Sequence, residues 1–555
     1  MTTTLFTNAV VFTADPTPEQ PEPVAEAFAV TDGRFVAVGS LDDVRTVIGA
    51  VADGAGSPSV TEVDLAGAFV APGVIDSHTH LVGFGDSLAR VQLRDCASLA
   101  EMQERLVAAR AAAPDAPRVL GSGWLFDAIA EGRPTAAMLD AVLPDVPVYL
   151  DANDFHSVWV NSAALAELGI DASTPNPVGG EVVRDATGQA TGLLLETAGT
   201  QYAWAFLGAQ STPEDVVAAL DRAFATYLET GVTGATEMSL NASEVAALRT
   251  IIARDGRLPF PITAHWILEP TGDTAQDVAG AAAITALRDE IAAGPESEWL
   301  RIAGVKFIMD GVIDACTATM ISPYADGSNA EPIWTADRIM PVAEAADRDG
   351  LQIAMHAIGD RTSQIALDVV EHCVRANGPR PRRHRIEHLE SVADDTIVRM
   401  GELGVVASMQ PVHCDPAVLD NWKAQLGDER QELGFPWQKF RAAGVAMTLG
   451  TDAPTAPHEA LPNLYIALTG ASVLAPERDP YHPERAFTPA EALTALTAGG
   501  AFAGEMDGTT GRIRPGLSAD FMVLGVNPLE AEPTALLDSR VQRTYVRGEE
   551  RFRAA

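Results

Sequence analysis

Through the middle of the chain, short apolar runs alternate with longer stretches whose apolar positions recur every three or four residues. The first pattern is that of buried strands and the second that of amphipathic helices. STPEDVVAALDRAFATYLETG at 211–231 carries a Ser/Thr N-cap, an early proline, acids in the first turn and a closing Gly231, and so predicts a helix. After it come GVTGATEM, FPITAHWIL, LRIAGVKFIMDG, LQIAMHAIGD, RHRIEHLE, GVVASMQP and GVAMTLGTDAP, which read as seven strands. FVAPGVIDSHTH at 69–80 supplies an eighth. Strands alternating with helices imply parallel βαβ units, and eight of them predict a (β/α)8 barrel over residues 71–504. Residues from about 86 to 212 are too long for an ordinary connection and predict an inserted subdomain near the barrel mouth.

The two chain ends have another texture. LFTNAVVFTA, EAFAVTDGRFVAVGS with its Asp32-Gly33 turn signal, and VTEVDLAGAFVAPG read as short strands punctuated by turns. GRIRPGLSADFMVLGVNPL and RVQRTYVRGEERF repeat that texture at the far end. Residues 1–70 and 505–555 are therefore expected to pair into one discontinuous β domain.

Composition narrows the function classes. The chain has 555 residues, 47% apolar and 21% charged, which excludes wholesale disorder and collagen-like or coiled-coil architectures. With 38 basic against 76 acidic residues the net charge is −38, which repels phosphate backbones and anionic headgroups, so neither nucleic acid nor a membrane surface is an expected partner. No basic leader with an apolar core and no span-length apolar run is evident, and the protein reads as cytoplasmic. The cysteines Cys96, Cys316, Cys373 and Cys414 lack CxxC spacing and read as reduced thiols.

Candidate chemistry lies at the strand ends, where barrel enzymes build their sites. His78 and His80 are two apart on one strand, so both imidazoles share a face and can grip one metal ion. His356, His388 and Asp452 each close a separate strand. Taken singly, each is as readily a satisfied polar residue; five converging ends point to a divalent transition metal, zinc by default, that activates water. Lys306 lies within the fourth strand between Val305 and Phe307, where a free ammonium is costly. A salt bridge to Asp310 or chemical conversion of the lysine into a metal ligand would each explain it.

The order HxH, Lys, His, His, Asp resembles the amidohydrolase superfamily. GVIDSHTHL, DFHSVWVNSAAL, GGEVVRDATGQATGLLLE, VKFIMDG, MHAIGDR, RIEHLE, SMQPVH and LGTDAP resemble its third family branch, typified by N-substituted formamide deformylase. The resemblance spans nearly the whole chain. It implies a composite β-sandwich from the two ends and a binuclear centre. His78, His80 and Asp452 would bind one metal, His356 and His388 the other, and Lys306, N6-carboxylated to a carbamate, would bridge them. A hydroxide shared by the metals would attack the carbonyl, and Asp452 would take its proton and pass it to the leaving amine. The resemblance also favours a dimer.

Other residues have two readings each. His156, in the insertion, either contacts substrate over the barrel mouth or makes a structural hydrogen bond. Asp310 and Gly311 are placed to orient the bridging ligand. Gln410, His413 and His458 are candidate pocket residues, each also readable as structural. Trp124, Phe126, Phe155 and Trp159 supply either an apolar substrate wall or core. Cys96 reads as a buried thiol, because Lys306 makes a bridging cysteine redundant.

The leading function is hydrolysis of a C–N bond in a small non-peptide amide, an N-substituted formamide or N-acyl amine. A mononuclear deaminase is weaker, since MHAIGDR carries no Glu close behind the histidine. A catalytically silent barrel is the reading from a different class, and nothing in the ligand set is degraded to support it.

Overall fold

The computed structural model describes residues 2–16, 24–55, 59–129, 133–153, 156–177 and 180–555. Eight strands form one parallel sheet: β1 (Val74–Thr79), β2 (Val232–Leu240), β3 (Ile262–Leu268), β4 (Leu300–Ile308), β5 (Gln352–Ala357), β6 (Arg385–His388), β7 (Val406–Met409) and β8 (Met447–Leu449). They neighbour one another in chain order, each pairing parallel with the next. Closure comes just past β8, where the Asp452 N–H donates to the His78 carbonyl at 2.8 Å and the His80 N–H to the Ala453 carbonyl at 2.9 Å. This is the (β/α)8 barrel that the alternating pattern predicts.

The closing seam is tight. A Cβ on Gly450 would lie 2.7 Å from the His78 backbone nitrogen, so only glycine lets the end of β8 approach β1. The helix Pro213–Glu229 starts on Thr212, which forms a reciprocal capping box with Asp215. Its buried face, including Leu220, Phe224 and Tyr227, packs into the main core beside Phe84 and Phe260.

Between β1 and that helix a second, six-stranded sheet runs Gly180–Arg184, Ala190–Glu196, Ser157–Val160, Val148–Ala152, Val119–Trp124, Val91–Gln92. It has its own cores, one around Trp124, Leu150 and Trp159 and another around Tyr149, Val158 and Leu194.

Strands from both chain ends share a further sheet, ordered Glu549–Arg553, Val541–Val546, Phe521–Leu524, Phe69–Pro72, Val10–Phe12, Val24–Ala25. A four-stranded sheet, Arg34–Gly39, Ala27–Thr31, Thr2–Thr7, Ser59–Asp64, faces it across a core containing Phe6, Phe28, Val70 and Phe521. Asp32 and Gly33 turn the hairpin with φ of 49° and 74°, the left-handed pair that a two-residue hairpin turn requires. Among the described residues no helix is long and apolar enough to cross a membrane.

Phe521–Leu524 pairs antiparallel with Phe69–Pro72, which leads directly into β1. Removing residues 521–555 would strip that partner and uncover Phe6 and Phe28, both at most 2% exposed. Such a truncation is expected to shift the protein into the insoluble fraction. A soluble truncation with wild-type thermal stability would show that the chain ends do not share a core.

Candidate metal centre

The C-terminal mouth of the barrel opens into a cavity of about 1640 Å³ whose wall includes His78, His80, Lys306, His356, His388 and Asp452. The Asp452 Oδ1 atom lies 3.4 Å from His78 Nε2 and 3.2 Å from His80 Nε2. Its Oδ2 atom lies 3.7 Å from His413 Nε2 and 3.9 Å from His388 Nδ1. Two groups thus have ligand atoms close enough for one ion each, His78/His80/Asp452 and His388/His413/Asp452. His356 is in neither group; its ring centre is 4.4 Å from that of His388. Lys306 reaches in from β4, with Nζ 3.5 Å from His78 Nε2.

Hydrogen bonds fix which imidazole nitrogens carry protons. His78 Nδ1–H donates to Glu387 Oε2 at 2.7 Å. His80 Nδ1–H donates at 3.0 Å to the Ser239 hydroxyl, which itself donates to Glu237. The Nε2 lone pairs of both rings are thereby left toward Asp452. His388 Nδ1–H donates to Gln410 Oε1 at 3.0 Å, and His356 Nε2–H to the Gly311 carbonyl at 3.2 Å. Such outer partners orient ligands and set their tautomers. Burial, reinforced by the Lys306 charge, lowers His78 to about 4 and holds His356 well below the usual imidazole range. Burial, with His356 close by, does the same to His388. Burial lowers Lys306 to about 8, with the Glu387 and Asp452 carboxylates pulling the other way.

Asp452 carries the clearest signature. Burial pushes its carboxyl up, and the interactions with His78, His80 and His388 pull it down, which neutral rings can do only with positive charge among them. Yet Oδ1 is buried with no hydrogen-bond partner. An ionised oxygen facing two imidazole lone pairs repels them unless a cation sits between, so these donors fit a divalent metal. Asp452 and His388 also hold φ of 59° and 75°. Left-handed non-glycine residues cost of order 1–3 kcal/mol each and cluster at functional sites.

Several residues that support the site carry no sequence signal of their own. Glu387 is fully buried, receives two hydrogen bonds from Arg385 and positions His78. Asp76 accepts from the backbone of His78 and Thr451 and from the Tyr227 hydroxyl, stitching β1 to the segment after β8. Burial raises it to about 6. Glu390 accepts from His413 Nδ1 at 3.0 Å; burial opposes the imidazolium, but this carboxylate wins and raises the His413 pKa. Glu387→Gln should destabilise the protein by about 3 kcal/mol, because Arg385 would keep a buried charge without a carboxylate. Chemical denaturation checks this; a loss below about 1 kcal/mol would mean that Ser77 and Ser408, which also accept from Arg385, suffice.

The remaining sequence candidates divide. Asp310 accepts backbone N–H groups from Thr319, Ile358 and Gly359, and burial raises it to about 7; its Oδ1 is 3.6 Å from His356 Nε2, and no salt bridge joins it to Lys306. His156 lines the cavity, hydrogen-bonded through Nδ1 to Glu196 at 2.7 Å and 6.1 Å from the His356 ring. Trp124 and Phe126 also reach the wall, and His413 both lines the cavity and joins the second ligand group. Gln410, readable either as a pocket residue or as structural, is not among the wall residues and accepts from His388 Nδ1. His458 likewise is off the wall, its ring against Phe84 and Tyr227. Trp159 is core, donating to the Thr135 carbonyl, and Cys96 is buried in the same cluster. Phe155 lies outside the described residues.

Residues 61–552 match the family model described as the amidohydrolase family. The chain belongs to the amidohydrolase family. It is 31% identical to Protein LONG AFTER FAR-RED 3 of Arabidopsis thaliana, over 99% of this chain and 91% of that one. It is 28% identical to N-substituted formamide deformylase of Arthrobacter pascens, over 95% of each. The crystal structure of an uncharacterised metal-dependent hydrolase from Pyrococcus furiosus superposes with a TM-score of 0.71 at 27% identity, covering 95% of this chain and 100% of that one. The amidohydrolase family is one of metal-dependent hydrolases, and the two His/Asp groups are this member's candidate metal sites.

Proposed function

We propose that this amidohydrolase cleaves the C–N bond of a small non-peptide amide, an N-substituted formamide or related N-acyl amine. The observation that carries the reading is the buried, partnerless Asp452 oxygen facing the unprotonated nitrogens of His78 and His80 under an open cavity. The likeness to a formamide deformylase supports the substrate class. His78, His80 and Asp452 would hold one metal. Lys306, carboxylated on Nζ, would join it to a second held by His356 and His388, with His413 as a further donor. The carbamate forms from the neutral amine and carbon dioxide with loss of one proton, and it replaces a buried cation by an anion that two divalent ions neutralise.

When bound, the metals supply Lewis acidity toward the amide carbonyl and lower the pKa of water. Asp452 accepts the proton of the attacking water and returns it to the leaving nitrogen, so the carboxylate is regenerated each turnover. The wall residues Trp124 and Phe126 exclude water from the apolar part of the substrate.

The test is metal content per chain, on protein expressed with zinc and bicarbonate and purified without chelator, together with amine release from a panel of N-formyl and N-acyl amines. About two equivalents with amine release is the expected result. A fully loaded protein that releases no amine from any panel member would overturn the reading.

A further inference from the structure

We propose that Arg94 forms a carboxylate-binding subsite in the cavity wall, so that the favoured substrates are N-acyl amines that also carry an acid group. This rests on the amide-hydrolase reading above and narrows it to a substrate class.

Arg94 lies in the turn two residues past Val91–Gln92, the edge strand of the inserted sheet, and lines the cavity. Its Nη1 donates to Asn153 Oδ1, while its buried Nε has no partner. Other arginines on the same wall are neutralised. Arg90 pairs with Asp151, Arg118 with Glu167 at 2.7 Å and Arg222 with Asp86 at 3.6 Å. Among the described residues no carboxylate lies within 4 Å of Arg94, in a chain with twice as many acids as bases.

The acids that Arg94 feels are Asp415 and Glu459. Asp415 is spent elsewhere: it accepts from the N–H groups of Ala417 and Val473 and from the Ser472 hydroxyl. Glu459 is half exposed and 3.5 Å from His458. Burial lowers the Arg94 pKa to about 10, still leaving it charged at neutral pH. Arg94 is half-buried, and its one fully enclosed donor, Nε, has no partner; a ligand that completes it is favoured, and the planar fork matches a carboxylate.

Position and charge fix the ligand further. Arg94 lines the same cavity as His413 and Asp452, so a ligand held by the guanidinium shares the space above the candidate metal groups. With Asp415 and Glu459 nearby, a singly charged carboxylate is favoured over a doubly charged phosphate.

The probes are N-formyl-ω-amino acids of increasing chain length and their methyl-ended N-formyl alkylamine counterparts, assayed on the metal-loaded enzyme. Wild type is expected to prefer one acid over its counterpart, and Arg94→Met to cut that preference about 30-fold, chiefly through KM. Arg94→Lys, which keeps the charge but not the fork, should retain part of it. If nothing is turned over, the hydrolase reading fails, and calorimetric binding of the same acids decides the subsite separately. Binding at least about tenfold weaker in Arg94→Met supports it. Equal binding by wild type and variant, no preference for any acid in wild type, or tighter binding of a phosphate-ended analogue would overturn it.

Discussion

Asp452→Asn is expected to lower kcat/KM on any amide substrate by about 10³-fold or more while the protein stays folded. The backbone at this position is held independently of the side chain: its N–H donates to the His78 carbonyl and its carbonyl accepts from the Thr455 N–H, both at 2.8 Å. Asparagine tolerates the left-handed conformation that Asp452 adopts, so the seam between β1 and β8 should survive. What disappears is the negative charge. The amide accepts no proton from water, and one donor common to both ligand groups is weakened. Metal content should therefore fall together with activity. A second consequence separates this from a folding defect. In metal-free protein the wild-type carboxylate is a buried charge with an unpartnered oxygen, so metal-free Asp452→Asn should be at least as stable to heat as metal-free wild type. A variant with activity within tenfold of wild type would remove Asp452 from the chemistry.

The contrast between what the sequence reveals and what it hides at this site has a physical origin. Strands of a parallel barrel are covered on both faces, so β1 to β8 read as apolar runs and any polar residue within them stands out. His78, Lys306 and His356 are conspicuous for that reason. Glu387 is not, because in RHRIEHLE it sits among other polar residues and looks like one more solvated acid. Strand alternation puts Arg385 and Glu387 on one face, and that face is the barrel interior, where both are fully buried. His388 breaks the alternation with its positive φ, so its direction could not be read from spacing. The same holds for His413, which follows Gln410 in a short 3-10 turn rather than on a strand. Periodicity also marked the insertion only as an interruption. Its sheet, and with it the approach of Arg94, Trp124 and His156 to the barrel mouth, depends on strand order that no local pattern encodes.

If Lys306 bridges two metals as proposed, Lys306→Ala is expected to leave about one bound equivalent or fewer and to lower activity by about 10³-fold, with partial recovery in high concentrations of formate or acetate. Lys306 is fully buried between β3 and β5, its Nζ 3.5 Å from His78 Nε2, and burial already drives its pKa down to about 8. A lysine kept there only as an ammonium would destabilise the core and repel a metal. Removing it would then be neutral or beneficial. A lysine kept as a carbamate supplies an anion that nothing else on β4 can replace. Alanine opens a polar-ended gap into which a small carboxylate fits, whereas Lys306→Met fills the same space with an apolar chain. The carbamate reading thus requires rescue of the alanine variant by added carboxylate and none of the methionine variant. It also requires that wild-type activity regained after metal stripping depend on bicarbonate. If both variants bind two metals and turn over at the wild-type rate, Lys306 is a structural residue and the bridge between the two His/Asp groups must be sought in Asp452 alone, whose two oxygens already face one group each.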